Sequence, residues 1–117
     1  MVRFRTKETE EKYKKLIDEG HLKGGCKLCQ APPIKEFNYW TIVKNQFPYD
    51  GIAKVHDMAL PKRHILEDSL TREEQQEYLK IKAGYIEQTY EYIIEPASKL
   101  RSIPEHFHLH LIITKED

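Results

Sequence analysis

"HFHLHLI", residues 106–112, sets three of the chain's six histidines at alternate positions and fills the gaps with Phe107, Leu109 and Leu111. In an extended strand successive side chains point to opposite faces. His106, His108 and His110 therefore fall in one row and Phe107, Leu109 and Leu111 in the other. The apolar row reads as core, and three titratable rings sharing the other face read as chemistry.

Distance rules out a single metal ion held by all three rings. At roughly 3.3 Å per residue, His106 and His110 lie about 13 Å apart along the strand, whereas zinc ligands stand about 2 Å from their ion. At most two neighbours can share an ion, so the row divides its labour. Cys26 and Cys29, in "CKLC", are the only cysteines. In a reducing compartment such a pair is more often a metal or redox element than a disulfide. Two histidines would complete a Cys₂His₂ shell, and His64, in "LPKRH", and one end of the row are the candidates. A free thiol pair in a loop is the alternative.

The chain has 117 residues, enough for one domain (residues 1–117) with a core of its own. Lys plus Arg and Asp plus Glu both number 19, so no overall charge draws the protein to nucleic acid or to an anionic membrane. Any anion it binds is bound locally. The opening "MVRFRTKETEEKYKK" holds no apolar run of a signal peptide, and no stretch of about 18 apolar residues occurs. A soluble, cytoplasmic protein is expected.

The residues from about Thr6 to Glu19 read as a first helix, acidic in its first turns and stopped by Gly20. "LKGGCKLCQAPPI" has the glycine and proline content of a loop. "NYWTIVKN" predicts a strand over about residues 38–44, "FPYDG" a turn, and "AKVHDMALP" a second strand ending at Pro61. From Thr71 to Glu95 the sequence predicts one long helix: Thr71 and Glu74 make a capping box, and Tyr78, Ile81, Tyr85, Thr89 and Tyr92 keep helical spacing up to Pro96. The order α, β, β, long α, β predicts an α+β domain with a mainly antiparallel sheet.

These segments together resemble the histidine triad superfamily of nucleotide hydrolases and transferases. "HFHLHLI" fits its His-φ-His-φ-His-φ-φ signature (φ apolar), "HDMALPKRH" its strand and turn ending in Pro-Lys-(Lys/Arg)-His, and "DSLTREE" the start of the helix that follows. "CKLC" stands where many members carry a zinc-binding cysteine pair, and the matches run from 26 to 112 in the family's order. The resemblance implies a histidine triad fold, with one long covering helix and an N-terminal helix. It implies an enzyme that attacks the α-phosphate of a nucleotide and passes through a nucleotidyl-histidine intermediate, and a homodimeric assembly. It assigns Cys26, Cys29, His64 and His106 to a structural zinc, His108 to nucleophilic attack and His110 to hydrogen bonding of the phosphate. A neutral imidazole suits that attack, because its ordinary pKa is about 6.5 and an acceptor at its second nitrogen fixes the tautomer.

"VKNQFPYD" further resembles the Asn-x-Phe-Pro segment of the hexose-1-phosphate uridylyltransferase and dinucleotide phosphorylase branches, which makes Asn45 and Phe47 binding candidates and nucleotidyl transfer the alternative activity. A zinc-stabilised nucleotide-binding module without turnover is a third reading. Its support is "KLRSIPEH", which lacks the glycine that many members place before the triad and leaves Arg101 and Ser102 as candidate phosphate contacts. His56 reads as strand surface or as part of the nucleotide pocket, and His21 as exposed beside a helix end. Lys62 and Arg63 read as solvated turn residues, and the tyrosines of the long helix as core or dimer packing.

Overall fold

The structure, a computed structural model, describes residues 4–101 and 103–116. Helix α1 (Lys7–Asp18) is capped by Thr6, whose hydroxyl accepts from the Thr9 amide, and buries none of its residues. A 3₁₀ turn (His21–Lys23) and a four-residue helix α2 (Lys27–Gln30) follow, with Cys26 at the N-cap of α2. The cysteine pair therefore stands on a helical turn rather than in an open loop. Strands β1 (Pro33–Glu36), β2 (Trp40–Lys44) and β3 (Ala53–Pro61) come next. Helix α3 (Arg72–Ile81) runs through a π-helical turn (Lys82–Ile86) into α4 (Glu87–Thr89), before strands β4 (Tyr92–Ile94) and β5 (Leu109–Thr114). The five strands form one antiparallel sheet in the order β1-β2-β3-β5-β4.

The long helix ends earlier than the sequence predicts, at Thr89 rather than Glu95. Tyr92 continues the helical spacing, but Tyr92, Ile93 and Ile94 are aromatic or β-branched and pair with Ile112, Leu111 and His110 of β5. That pairing satisfies the backbone of an otherwise open sheet edge. β1 lies in a segment read as loop; its Pro33 opens an edge strand, where a missing N–H costs nothing.

The two rows of the histidine segment divide as the alternation requires. Phe107, Leu109 and Leu111 join Trp40, Ile42, Ala59, Ile81, Ile86 and Tyr90 in the core beneath α3, with Tyr78 and Tyr85 packed against it. The capping box forms as predicted: the Glu74 amide donates to the Thr71 hydroxyl and the Thr71 amide to the Glu74 carboxylate. Arg63 is not a free turn residue. Its guanidinium grips the buried Glu74 carboxylate through Nη2 (2.6 Å) and Nε (3.1 Å), and the Trp40 indole donates to the Glu74 carbonyl (2.8 Å). The turn after β3 is thereby tied to the helix that follows it. At the far end of the helix, Tyr90 Oη donates to the buried Asp57 carboxylate of β3 (2.5 Å).

The opposite sheet face is covered as well. Leu28 of α2 packs with Val43, Met58 and Leu60, with Cys26, Ala31 and Ile103 around them. Among the described residues no helix is long and apolar enough to cross a membrane.

Candidate active site

The covered face holds the whole histidine row: His106 is 1 % exposed, and His108 and His110 are 4 % each. A solvated sheet face is thereby excluded. His106 and His108 lie just before the ladder of β5, which opens at Leu109. Their position is fixed by the turn after β3. The Phe107 amide donates to the Ile65 carbonyl (2.8 Å), and His106 Nε2 lies 2.8 Å from the Pro61 carbonyl. A carbonyl only accepts, so the proton of His106 sits on Nε2 and its Nδ1 carries a free lone pair.

That lone pair meets the cysteines. His106 Nδ1 is 3.4 Å from Cys29 Sγ and 3.6 Å from Cys26 Sγ, and His64 Nδ1 is 3.3 Å from Cys29 Sγ. The four ligand atoms all lie within 4.8 Å of one another. A tetrahedral shell with bonds of about 2.0–2.3 Å places neighbouring N and S donors about 3.5 Å apart, so the group could hold a metal ion. The Pro61 carbonyl behind His106 supplies the outer hydrogen bond that orients a ligating imidazole. Gly25, with φ +93°, makes the turn into Cys26; a Cβ there would meet Gln30 Nε2 at 2.9 Å.

His108 has the complementary arrangement. Its Nδ1 donates to its neighbour's backbone, the His106 carbonyl (2.9 Å), which leaves the lone pair on Nε2. The ring lines a cavity of about 740 Å³ together with His110, Asn45 and Phe47. Burial above all lowers the pKa of His108 below the ordinary imidazole value.

His110 is oriented by a residue whose role the sequence left open. The Tyr49 amide donates to His56 Nδ1 (2.9 Å), so the proton of His56 resides on Nε2 and points at His110 Nδ1, 2.7 Å away. His110 then keeps its own proton on Nε2, at the cavity wall and 3.3 Å from the Tyr49 hydroxyl. Register explains the meeting. Met58 of β3 faces His110 of β5, which puts His56 on the same sheet face at the diagonal position. Burial, then the charge of Arg5, takes His56 down to about 3; burial, then His56, takes His110 to about 2.

Asn45 is buried. Its Oδ1 accepts from the Phe47 amide (2.8 Å) and its Nδ2 approaches Met58 Sδ (3.5 Å), so it braces the turn that presents Phe47. Phe47 packs between Tyr13 (4.8 Å) and His21 (5.6 Å, edge-on). His21 is thus a cavity residue, not an exposed one. Arg101 stacks over Phe107 (5.7 Å), donates to the Pro96 carbonyl (3.1 Å) and pairs with Glu95 (3.6 Å), outside the residues that line the cavity. Ser102 lies outside the described residues. Sequence reading missed Arg5 and Tyr49. Arg5 carries no local signal, and Tyr49 stands in a turn segment where an aromatic has no periodicity to reveal it.

No protein-family model and no curated protein matches the chain. Solved structures do. A HIT-like protein is 21% identical with a TM-score of 0.52, over 74% of this chain and 92% of its own. A histidine triad protein from Clostridium difficile is 15% identical with a TM-score of 0.54, over 79% and 91%. A HIT family hydrolase from Clostridium thermocellum is 20% identical with a TM-score of 0.54, over 76% and 90%. The sheet order, the covering helix and the buried row at 106, 108 and 110 agree with that likeness: this chain has the histidine triad fold.

Proposed function

We propose that the protein is a nucleotide-phosphate hydrolase or nucleotidyl transferase that works through a nucleotidyl-histidine intermediate on His108. The observation that carries this reading is the opposite tautomer of two neighbouring rings. His108 offers a lone pair on Nε2 and His110 offers a proton on Nε2, on the wall of one cavity. A nucleophile beside a donor is what attack on a phosphorus requires. His108 Nε2 bonds to the α-phosphorus, the bond to the leaving group breaks with its electron pair passing to the leaving atom, oxygen in a phosphoanhydride and nitrogen in a phosphoramidate, and His110 donates to a phosphoryl oxygen. Water or another acceptor then displaces His108. Two easier steps replace one hard one. Asn45 and Phe47 border the nucleotide.

On the same reading Cys26, Cys29, His64 and His106 hold a structural zinc ion, whose contribution is to anchor the segment that presents His108. The test is turnover on a panel of dinucleoside polyphosphates, nucleoside phosphoramidates and nucleotide sugars. The parent protein should release a nucleoside monophosphate, or transfer it, from at least one class, and His108→Ala should not. Activity that survives His108→Ala removes the covalent route.

A further inference from the structure

The cavity beside His108 is lined by two kinds of residue. His108 and His110 offer imidazole nitrogens suited to a phosphate. Tyr13, His21 and Phe47 offer flat rings suited to a nucleobase, and Phe47 sits against both of the others, 4.8 Å from Tyr13 and 5.6 Å from His21. Arg5 belongs with the second group. It lines the same cavity, its Nε donates to the Phe47 carbonyl (2.8 Å), and its guanidinium carbon lies 4.8 Å from the centre of the Tyr13 ring.

The backbone on either side of Arg5 is pinned. The Gly51 amide donates to the Phe4 carbonyl (2.6 Å), and the Asp50 carboxylate accepts from the Thr6 amide (2.8 Å). The turn between β2 and β3 therefore grips the residue before Arg5 and the residue after it. A second ring, that of Tyr49, lies 5.0 Å from the guanidinium carbon, and aromatic contacts keep a cation charged and ordered without a partner carboxylate. Nε is the one donor used in a hydrogen bond to a described residue, and none of the ion pairs among described residues involves Arg5.

The Nη groups that remain are a planar fork of donors, and their surroundings decide what they can read. None of the described residues that line the cavity is an aspartate or a glutamate. The Asn45 Oδ1 already accepts from the Phe47 amide, and the Phe47 carbonyl from Arg5. Adenine sets an amino donor beside its N7, and that donor would meet a cation with no carboxylate among the described lining residues to receive it. Guanine and hypoxanthine set a carbonyl, O6, beside N7. Two adjacent acceptors fit a guanidinium fork, the pairing by which arginine reads guanine in nucleic acids.

We propose that Arg5 is a specificity-determining residue that reads the O6 and N7 edge of the base, so that the protein favours nucleotides of the 6-oxopurines, guanine and hypoxanthine, over those of adenine. The assignment rests on the nucleotide reading above, in which Phe47 borders the nucleotide. The histidine triad likeness does not supply it, since the segments that resemble the family run from 26 to 112 and Arg5 precedes them.

Calorimetry on the full chain tests the assignment with the monophosphates of guanosine, inosine, adenosine and 7-deazaguanosine, for the parent and for Arg5→Ala. The parent should bind the guanine and hypoxanthine nucleotides about tenfold or more tighter than the adenine nucleotide, within the discrimination a bidentate pair supplies. The 7-deaza analogue, which lacks the N7 acceptor, should bind the parent about fivefold or more weaker than the guanine nucleotide, the loss of one hydrogen bond from a charged donor. Arg5→Ala should bring guanine and hypoxanthine down to the adenine level and leave the adenine nucleotide within about threefold. Equal losses for all three bases would reduce Arg5 to a phosphate contact or a prop for Phe47 and overturn the assignment, as would a preference that survives Arg5→Ala. The parent alone also decides, whether or not the variant folds: guanine and adenine nucleotides bound alike, or a 7-deaza analogue bound as tightly as the guanine nucleotide, overturn the role of Arg5 and leave the nucleotide reading standing. A parent that binds none of the four overturns the nucleotide reading itself.

Discussion

His56 Nε2 lies 2.7 Å from His110 Nδ1, and the Tyr49 amide, 2.9 Å from His56 Nδ1, fixes the direction of that hydrogen bond. Two buried rings on adjacent strands thus share one proton arrangement that begins at a backbone amide. Protonating either ring would place two donors face to face, since His56 Nδ1 and His110 Nδ1 both act as acceptors. The arrangement exists only while both are neutral.

Stability should therefore fall as pH drops below the ordinary imidazole value. In the unfolded chain both rings take up protons near pH 6.5, while in the folded chain burial chiefly holds them neutral down to about 3 for His56 and about 2 for His110. Between roughly pH 6.5 and 3 the unfolded state binds more protons, and each ring costs up to about 1.4 kcal/mol of stability per pH unit. Urea unfolding from pH 7.5 to 5 measures the slope. The His56→Gln/His110→Gln double variant should show a slope shallower by close to two protons near pH 5 and by little near pH 7.5; an identical slope would place the protons elsewhere.

Metal binding should be inseparable from folding at the second cluster. Purified protein should carry one zinc per chain, held by Cys26, Cys29, His64 and His106, because a structural ion's binding free energy is also folding free energy. Chelation, or Cys29→Ser, should lower Tm by roughly 10 °C, for a loss of about 2 kcal/mol. Metal analysis that finds no zinc, with a Tm indifferent to chelators, would contradict the site.

The attachment of α1 should be local. The helix buries no residue of its own and its N-cap is fixed by the Asp50 carboxylate, which accepts three hydrogen bonds from Thr6 and Thr9. Asp50→Ala should cost about 1–3 kcal/mol of that attachment. Hydrogen exchange should then accelerate across residues 7–18 while β3 and β5 keep their protection. Uniform loss of protection over the sheet would mean that α1 belongs to the cooperative core.

The period of two in "HFHLHLI" was enough to separate the core row from the histidine row, although His106, Phe107 and His108 precede β5, which opens at Leu109. The four cysteine and histidine donors were legible only as an ordered set. What brings them together is the pair of bonds from the 106–107 segment to Pro61 and Ile65, and these depend on a turn distant in sequence. Tyr92 misled because its spacing from Tyr85 and Thr89 fits a helix, and only the open edge of β5 decides for a strand. Arg5 was invisible for a related reason: its place is set by an anchor at Asp50, 44 residues from Thr6. Local periodicity carries no such information.

The central claim is that Nε2 of His108 forms a bond to phosphorus. Rapid acid-free quenching during turnover of a nucleotide substrate, followed by intact-mass and peptide analysis, tests it most directly. The account predicts a transient gain of one nucleoside monophosphoryl group confined to His108. The adduct should be absent from His108→Asn, and it should form more slowly in His110→Ala, by a factor of order 10² to 10³ for the loss of one preorganised donor. Turnover at the parent rate in His108→Asn, or an adduct on any other residue, would contradict it.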